Sequence, residues 1–116
     1  MEELIEQNTL IAKWLGWNIL QSESCTFEYI KNEYFYGGIE FLRFDSDSNL
    51  QWICLEKIMK EYEYESIVQV YSFLEYIQTI DKNVEINIKN KSDIFNAILD
   101  YIRLVVNEEL LELKRF

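Results

Sequence analysis

The sequence has no histidine and no proline, and only three glycines and two cysteines occur among its 116 residues. Without histidine, the chain lacks the commonest general base and the commonest side-chain ligand for transition metals. The two cysteines, Cys25 and Cys54, do not form a CxxC motif, so we expect reduced thiols and neither a disulfide framework nor a zinc site. The lack of proline and the scarcity of glycine argue against a flexible linker, and the length predicts a single domain over residues 1–116.

Long apolar runs and positive charge are also scarce. No run could span a bilayer, and the opening MEELIEQNTL is acidic where a signal peptide would be basic, so we expect a soluble cytoplasmic protein with no membrane partner. Eleven Lys and Arg residues face 21 Asp and Glu residues, for a formal net charge of −10. Phosphate backbones repel such a surface, which disfavours direct nucleic-acid binding, whereas a protein with a basic surface is a suitable partner. The alternative is that the acidity serves only solubility.

Hydrophobic residues make up 49% of the sequence and aromatic residues 16%, which is enough for a folded core. Residues 3–15 predict a first helix that stops at Gly16. Residues 45–59 contain the entry to a central helix, for which Ser48 and Gln51 stand at capping-box spacing. Trp52, Leu55 and Met59 widen the apolar face of this helix, which leaves Glu56 and Lys60 for solvent. Residues 93–107 predict a third helix, capped by residues 92–93 and apolar on most sides.

Strand patterns lie between these helices, after an irregular stretch at residues 18–26. Aromatic and β-branched residues from Phe27 to Phe44 predict two strands, one of them over residues 40–44, with the turn either at residues 31–33 or at Gly37-Gly38. Residues 66–80 fit both a helix and a strand, and we favour a strand over residues 66–74; residues 84–88 alternate as a half-buried strand does. The predicted fold class is α+β, a small antiparallel or mixed sheet sandwiched by helices in an α-β-α arrangement.

Three segments resemble a known family: IAKWLGW at 11–17, FLRFDSDSNLQWICLEKI at 41–58, and SDIFNAILDYIRLVVN at 92–107. Together they are similar to the small phage and prophage proteins of the phage ABA sandwich type, over about half of the chain. The resemblance implies an α/β sandwich and a phage or mobile-element origin, hence a place in the host-cell cytoplasm. It implies no activity.

Chemical motifs are weak. Asp45, Asp47, Asn49 and Glu56 have the spacing of EF-hand ligands, but Leu50 stands where the loop requires glycine, and the preceding segment predicts a strand instead of a helix. No nucleophile is paired with a base and no phosphate-binding glycine loop occurs, so we expect no enzyme activity, no cofactor and no metal.

Binding is the remaining function class. The candidate partner-binding residues are Glu61, Tyr62, Glu63, Tyr64 and Glu65, because tyrosines are favoured anchors at interfaces and carboxylates pair with Arg or Lys. We therefore expect an acidic, phage-type accessory protein that binds a basic surface on a host protein, in the manner of an anti-CRISPR counter-defence inhibitor that mimics nucleic acid. If the segment were extended, its three Glu would lie on one face and its two Tyr on the other. The competing interpretation is a solvated loop.

Two further hypotheses remain open. Aromatic residues from Tyr34 to Phe44 could line a pocket that sequesters a small, nucleotide-like molecule. Alternatively, the last helix carries more apolar surface than one sheet covers, which favours a homo-oligomeric structural component.

Overall fold

The computed structural model describes residues 2–21, 27–32, 35–38 and 42–106, with side chains described for residues 3–17 and 42–106. The chain divides into two compact units, Met1–Phe44 and Asp45–Phe116. Each unit is described by itself below. That the chain forms a single domain stays a prediction.

The first unit contains one helix and a small antiparallel sheet. Its elements are α1 (Glu2–Trp14), β1 (Asn18–Gln21), β2 (Phe27–Asn32) and β3 (Phe35–Gly38). β2 is the middle strand and pairs antiparallel with both neighbours. The connection from β2 to β3 falls after Asn32, near the first of the two candidate turns. Gly37 and Gly38, the second candidate turn, belong to β3 and pair with Tyr29 and Glu28 of β2. β1 occupies the start of the stretch predicted to be irregular, whereas residues 22–26 lie outside the described part.

Gly16 ends α1 as the sequence predicts. Its φ of +86° lies in the left-handed region, which glycine adopts without steric cost. The N–H of Gly16 donates to Lys13 O and that of Trp17 to Ala12 O, both at 3.0 Å. This pair of bonds is the Schellman motif, which satisfies carbonyl groups that the helix end leaves unpaired.

A buried asparagine links the first helix of this unit to the unit's last residue. Asn8 is 1% exposed; its Oδ1 accepts the Phe44 N–H at 2.7 Å and its Nδ2 donates to Leu4 O at 2.9 Å. The Phe44 ring is buried and lies 5.6 Å from the Trp17 ring. Residues 42–44 are not a strand, so the strand predicted over residues 40–44 is wrong in its described part.

The second unit is helical in its described part. Its helices are α2 (Ser48–Glu61), α3 (Ile67–Lys82) and α4 (Lys91–Tyr101), and α4 continues as a π-helical turn over Ile102–Val106. Each of the three helices contacts the other two. The buried apolar side chains of the unit are Cys54, Leu55, Ile58, Val70, Leu74, Phe95, Ala97, Ile98, Leu99, Tyr101 and Ile102. Their burial supplies the main driving force for this unit's folding.

The cap of α2 lies one residue earlier than predicted. Asp47, and not Ser48, has the extended backbone of an N-cap, and its Oδ1 accepts the N–H groups of Asn49 at 2.9 Å and Leu50 at 3.3 Å. A carboxylate at this position also complements the positive end of the helix dipole.

Gln51 and the cap of α4 also differ from the predictions. Gln51 is buried, and its Nε2 donates to Lys91 O at 2.8 Å, so it joins α2 to the first turn of α4 instead of returning to its own cap. Asn90 caps α4 by accepting the Asp93 N–H at 2.9 Å, and Asp93 in turn accepts the Lys89 N–H at 2.9 Å. The predicted cap at residues 92–93 therefore already lies in the first turn.

The strand predicted over residues 66–74 is wrong, because this segment begins α3. Val70, Leu74 and Gln78 recur at four-residue spacing and are all buried. Packing this stripe against α2 and α4 outweighs the weak preference of the β-branched residues for a strand.

The strand predicted over residues 84–88 is also wrong, although its alternation is real. Ile86 and Ile88 are half-buried while the residues between and before them are exposed. The Ile86 N–H donates to Thr79 Oγ1 at 3.3 Å, and the Ile88 N–H donates to Glu75 Oε2 at 2.8 Å. Side chains of α3 thus provide the acceptors that a neighbouring strand would otherwise provide.

The α+β sandwich is therefore a wrong prediction. Among residues 42–106 the structure contains helices and connections only, and α4 packs on α2 and α3 where a sheet was expected. The strands that the structure describes all lie within residues 18–38. The sandwich implied by the family resemblance is overturned by the same observation.

Candidate functional site

The predicted binding segment forms the connection between α2 and α3 and is not extended. Glu61 ends α2, Tyr62 is its C-cap, and Glu63 has a φ of +57°. The Tyr64 N–H donates to Met59 O at 2.9 Å, and the Glu63 N–H lies 3.4 Å from Lys60 O. These bonds again define a Schellman motif, with glutamate at the position that glycine usually occupies.

Two of the five predicted residues are tied to the body of the unit. Glu61 pairs with Lys57 at 3.0 Å and also accepts the Tyr101 hydroxyl, Oη to Oε2, at 3.1 Å. The Tyr62 hydroxyl lies within hydrogen-bond distance of the Tyr101 hydroxyl, at 3.2 Å. Because their polar groups are engaged with α2 and α4, Glu61 and Tyr62 position the connection.

Four aromatic rings pack together at the connection, two from the connection itself (Tyr62 and Tyr64) and one each from α3 (Phe73) and α4 (Tyr101). The Phe73 ring lies 4.6 Å from Tyr62, 5.8 Å from Tyr64 and 5.8 Å from Tyr101, between ring centroids. Tyr101 is 1% exposed, and burial, together with its bonds to Tyr62, raises the pKa of its hydroxyl. The cluster provides a rigid base for the residues above it.

The other three predicted residues line an open groove. Glu63, Tyr64 and Glu65 form one side of it, and an outward stripe of α2 forms another. The groove has a volume of about 510 Å³. The lining residues are Trp52, Glu56, Met59, Lys60, Glu63, Tyr64, Glu65, Ser66 and Ile67. Its walls therefore combine aromatic and aliphatic surface with carboxylates.

The groove carries an excess of negative charge. Glu56 and Lys60 form a loose exposed pair at 3.6 Å, which contributes little to stability. Glu63 and Glu65 are exposed, and the described part of the chain places no cation at ion-pair distance from either carboxylate. The backbone N–H groups of Glu65 and Ser66 both donate to Gln69 Oε1, at 2.6 and 3.1 Å, which fixes the second half of the connection.

Trp52 is one of the groove residues that sequence reasoning missed. The apolar pattern assigns it to the widened core face of the central helix, yet its side chain is 48% exposed. Its four-residue spacing from Glu56 and Lys60, both assigned to solvent, places it on their face of the helix. That spacing is the signal that could have found it.

The sequence also offered an EF-hand-like series and an aromatic pocket as candidate sites. Asp47 of the EF-hand-like series is engaged as the α2 cap, and no cluster of three or more metal-ligating side chains occurs in the described residues. The aromatic pocket expected at residues 34–44 falls mostly on residues whose side chains lie outside the described part; Phe44 itself is buried. Within the described ranges, no helix has the length and apolar character needed to cross a membrane.

The chain matches no protein-family model, no curated protein and no solved structure in the three comparisons made. The likeness to phage proteins and the counter-defence role stay predictions, and no finding supports them.

Proposed function

We propose that the chain is a non-enzymatic acidic interaction protein, and that it binds a basic surface of another cytoplasmic protein through the connection between α2 and α3. The observation that carries this proposal is the groove, whose lining includes Glu63, Glu65 and the exposed Trp52. Aromatic anchors surrounded by charged residues are typical of protein interfaces.

Three of the predicted residues are available for a partner, while the other two hold the connection in place. Glu61 and Tyr62 bond to Tyr101, so Glu63, Tyr64 and Glu65 are presented by a supported backbone. Such preorganisation lowers the ordering cost of association. A small anionic ligand is disfavoured at this site, since it would meet the groove's carboxylates.

The test is affinity capture from the natural host, followed by identification of the retained proteins. The paired variant Glu63→Lys with Glu65→Lys should lose a basic partner that the unaltered chain retains, because each change replaces attraction by repulsion. We expect at least a tenfold loss of retained partner, on the order of what one disrupted interfacial charge pair costs.

The matched control is Asp81→Lys with Glu85→Lys. Asp81 and Glu85 are exposed and lie outside the groove. Their substitution changes the net charge by the same amount as the substitution of Glu63 and Glu65. The control should retain the partner. Equal losses in both variants would show that overall charge acts without a defined site, and retention by both would reject the site.

Self-association is a second candidate function. Val68, Tyr76 and Ile80 lie along α3 at multiples of four residues, and each is more than 60% exposed. Apolar side chains aligned on one helix face are typical of an interface. Light scattering over a range of concentrations tests it: a dimer that the paired change Tyr76→Lys with Ile80→Lys converts to a monomer supports this function, and a monomer throughout rejects it.

A further inference from the structure

The groove lining combines apolar residues with acidic ones, so one amphipathic side chain could contact both through its different parts. Met59 and Ile67 offer aliphatic contact, and Trp52 and Tyr64 offer aromatic contact. Glu56, Glu63 and Glu65 add carboxylates to the same lining. A long side chain with an apolar stem and a cationic head matches this combination.

The groove is large enough for a long side chain. Its volume of about 510 Å³ lies within the range of sites that hold a small molecule. The groove is also open, and its bounding residues come from the end of α2, the connection and the start of α3. An extended or turning segment of a partner could lie along it without displacing the core.

The chemistry favours arginine over lysine as the principal contact. A guanidinium group stacks on an aromatic face and at the same time pairs with a carboxylate through two parallel N–H donors. An ammonium group is more strongly hydrated and lacks the planar fork. Trp52 and the Glu63 and Glu65 carboxylates in one groove supply both kinds of contact that guanidinium uses.

The geometry points to the groove as a receptor for an arginine-containing basic segment of the partner, with a guanidinium group stacked on Trp52 and paired with Glu63 or Glu65. This inference rests on the proposed function and narrows it, because it names the side chain recognised and the residue that recognises it. The carboxylates provide attraction for any basic segment, whereas Trp52 provides the preference for arginine.

Binding of synthetic peptides to the full chain tests the inference. Fluorescence anisotropy would compare three short labelled peptides with the same flanking residues: one with two arginines beside a leucine, one with lysines instead, and one with neutral citrullines instead. We expect the arginine peptide to bind about tenfold more tightly than the lysine peptide, and the citrulline peptide to bind more weakly than either.

Trp52→Ala should abolish the preference for arginine while leaving the residual attraction of basic peptides. Because Trp52 is half exposed on a helix face, circular dichroism should show an unchanged fold, and Val84→Ala, a change at an exposed apolar residue outside the groove, is the control. Trp52→Phe should restore part of the preference. Failure of Trp52→Ala to fold would shift the test to Trp52→Phe, which should reduce the preference for arginine, and to Glu63→Gln with Glu65→Gln, which should weaken the binding of the arginine and lysine peptides alike.

Equal affinities for arginine and lysine peptides, an affinity unaffected by Trp52→Ala, or no binding of any peptide would each overturn the inference. The proposed function stands after any of these results if the unaltered chain still captures the host partner and the Glu63→Lys, Glu65→Lys variant loses it. Equal capture by the unaltered chain and this variant would reject the proposed function itself.

Discussion

Glu63 has a backbone conformation that suits glycine better than any residue with a side chain. α1 ends with Gly16 at the equivalent position, and α3 has Asn83 at its C-cap with φ of +56°, a residue type that tolerates the left-handed region. Glutamate has no such tolerance and costs about 1 kcal/mol there relative to glycine. The proposed function gives this strained position a use, because Glu63 lines the groove.

The residue-scale prediction is that Glu63→Gly stabilises the protein while weakening partner binding. The free energy of unfolding, measured by urea titration, should rise by up to about 1 kcal/mol, because the strain at positive φ is relieved. Capture of the partner should fall at the same time. The reverse change at α1, Gly16→Ala, should lower stability by a similar amount, since nothing lies within 4 Å of the added Cβ and only φ opposes it. A Glu63→Gly variant with lower stability would show that the carboxylate has a structural role.

At the scale of elements, the hydroxyl network of Tyr101 joins α4 to the end of α2. The raised pKa of the buried Tyr101 hydroxyl means that it stays protonated in the folded state at pH values where an unfolded chain would ionise it, near pH 10. Its stabilising contribution is therefore fully present below about pH 10 and is lost as the pH rises further.

Tyr101→Phe should cost about 1 kcal/mol at pH 7, because the bonds to Glu61 and Tyr62 are lost. The difference in free energy of unfolding between the variant and the unaltered chain should shrink above about pH 10, since phenylalanine has no proton to lose. Chemical denaturation at pH 7, 9 and 10.5 measures this. A difference that stays constant across the series would contradict the assigned role.

Asp100 joins α4 to α3. Its Oδ2 accepts from Gln78 Nε2 at 2.9 Å and pairs with Lys82 Nζ at 3.0 Å, and its side chain is only 18% exposed. Asp100→Ala would leave the buried Gln78 amide without its acceptor, so we expect a loss of about 1–3 kcal/mol. Asp81→Ala, at an exposed position of α3, should change stability by less than about 0.5 kcal/mol. Thermal or urea unfolding of both variants makes the comparison, and equal effects would refute it.

Sequence patterns predicted some elements and not others for identifiable reasons. The helices near residues 48 and 93 follow from apolar periodicity, which packing against other helices reinforces. α3 was missed because its β-branched and aromatic residues suit a strand equally well, and only the partner helices decide between the two. Residues 84–88 were missed because alternation reports half-burial and not the identity of the hydrogen-bond acceptor.

The candidate site was predictable in part for similar reasons. The unusual Glu-Tyr alternation identified the segment, but sequence alone could not divide it into Glu61 and Tyr62, which bond to α4, and the three residues that line the groove. Trp52 was assigned to the core because large apolar residues are usually buried.

At the scale of the whole molecule, a net charge of −10 favours basic partners over anionic ones but does not indicate where a partner would bind. Long-range attraction accelerates encounters with any basic protein and weakens as salt is added. The groove is where that general attraction is combined with aromatic surface, so specificity is expected to reside there.

Amide hydrogen exchange with and without the captured partner tests this account most directly. The account predicts slower exchange on binding in peptides that cover residues 59–67, at the groove, and unchanged exchange in peptides that cover residues 83–89. Protection confined to residues 83–89, or to any segment outside the groove, would contradict it.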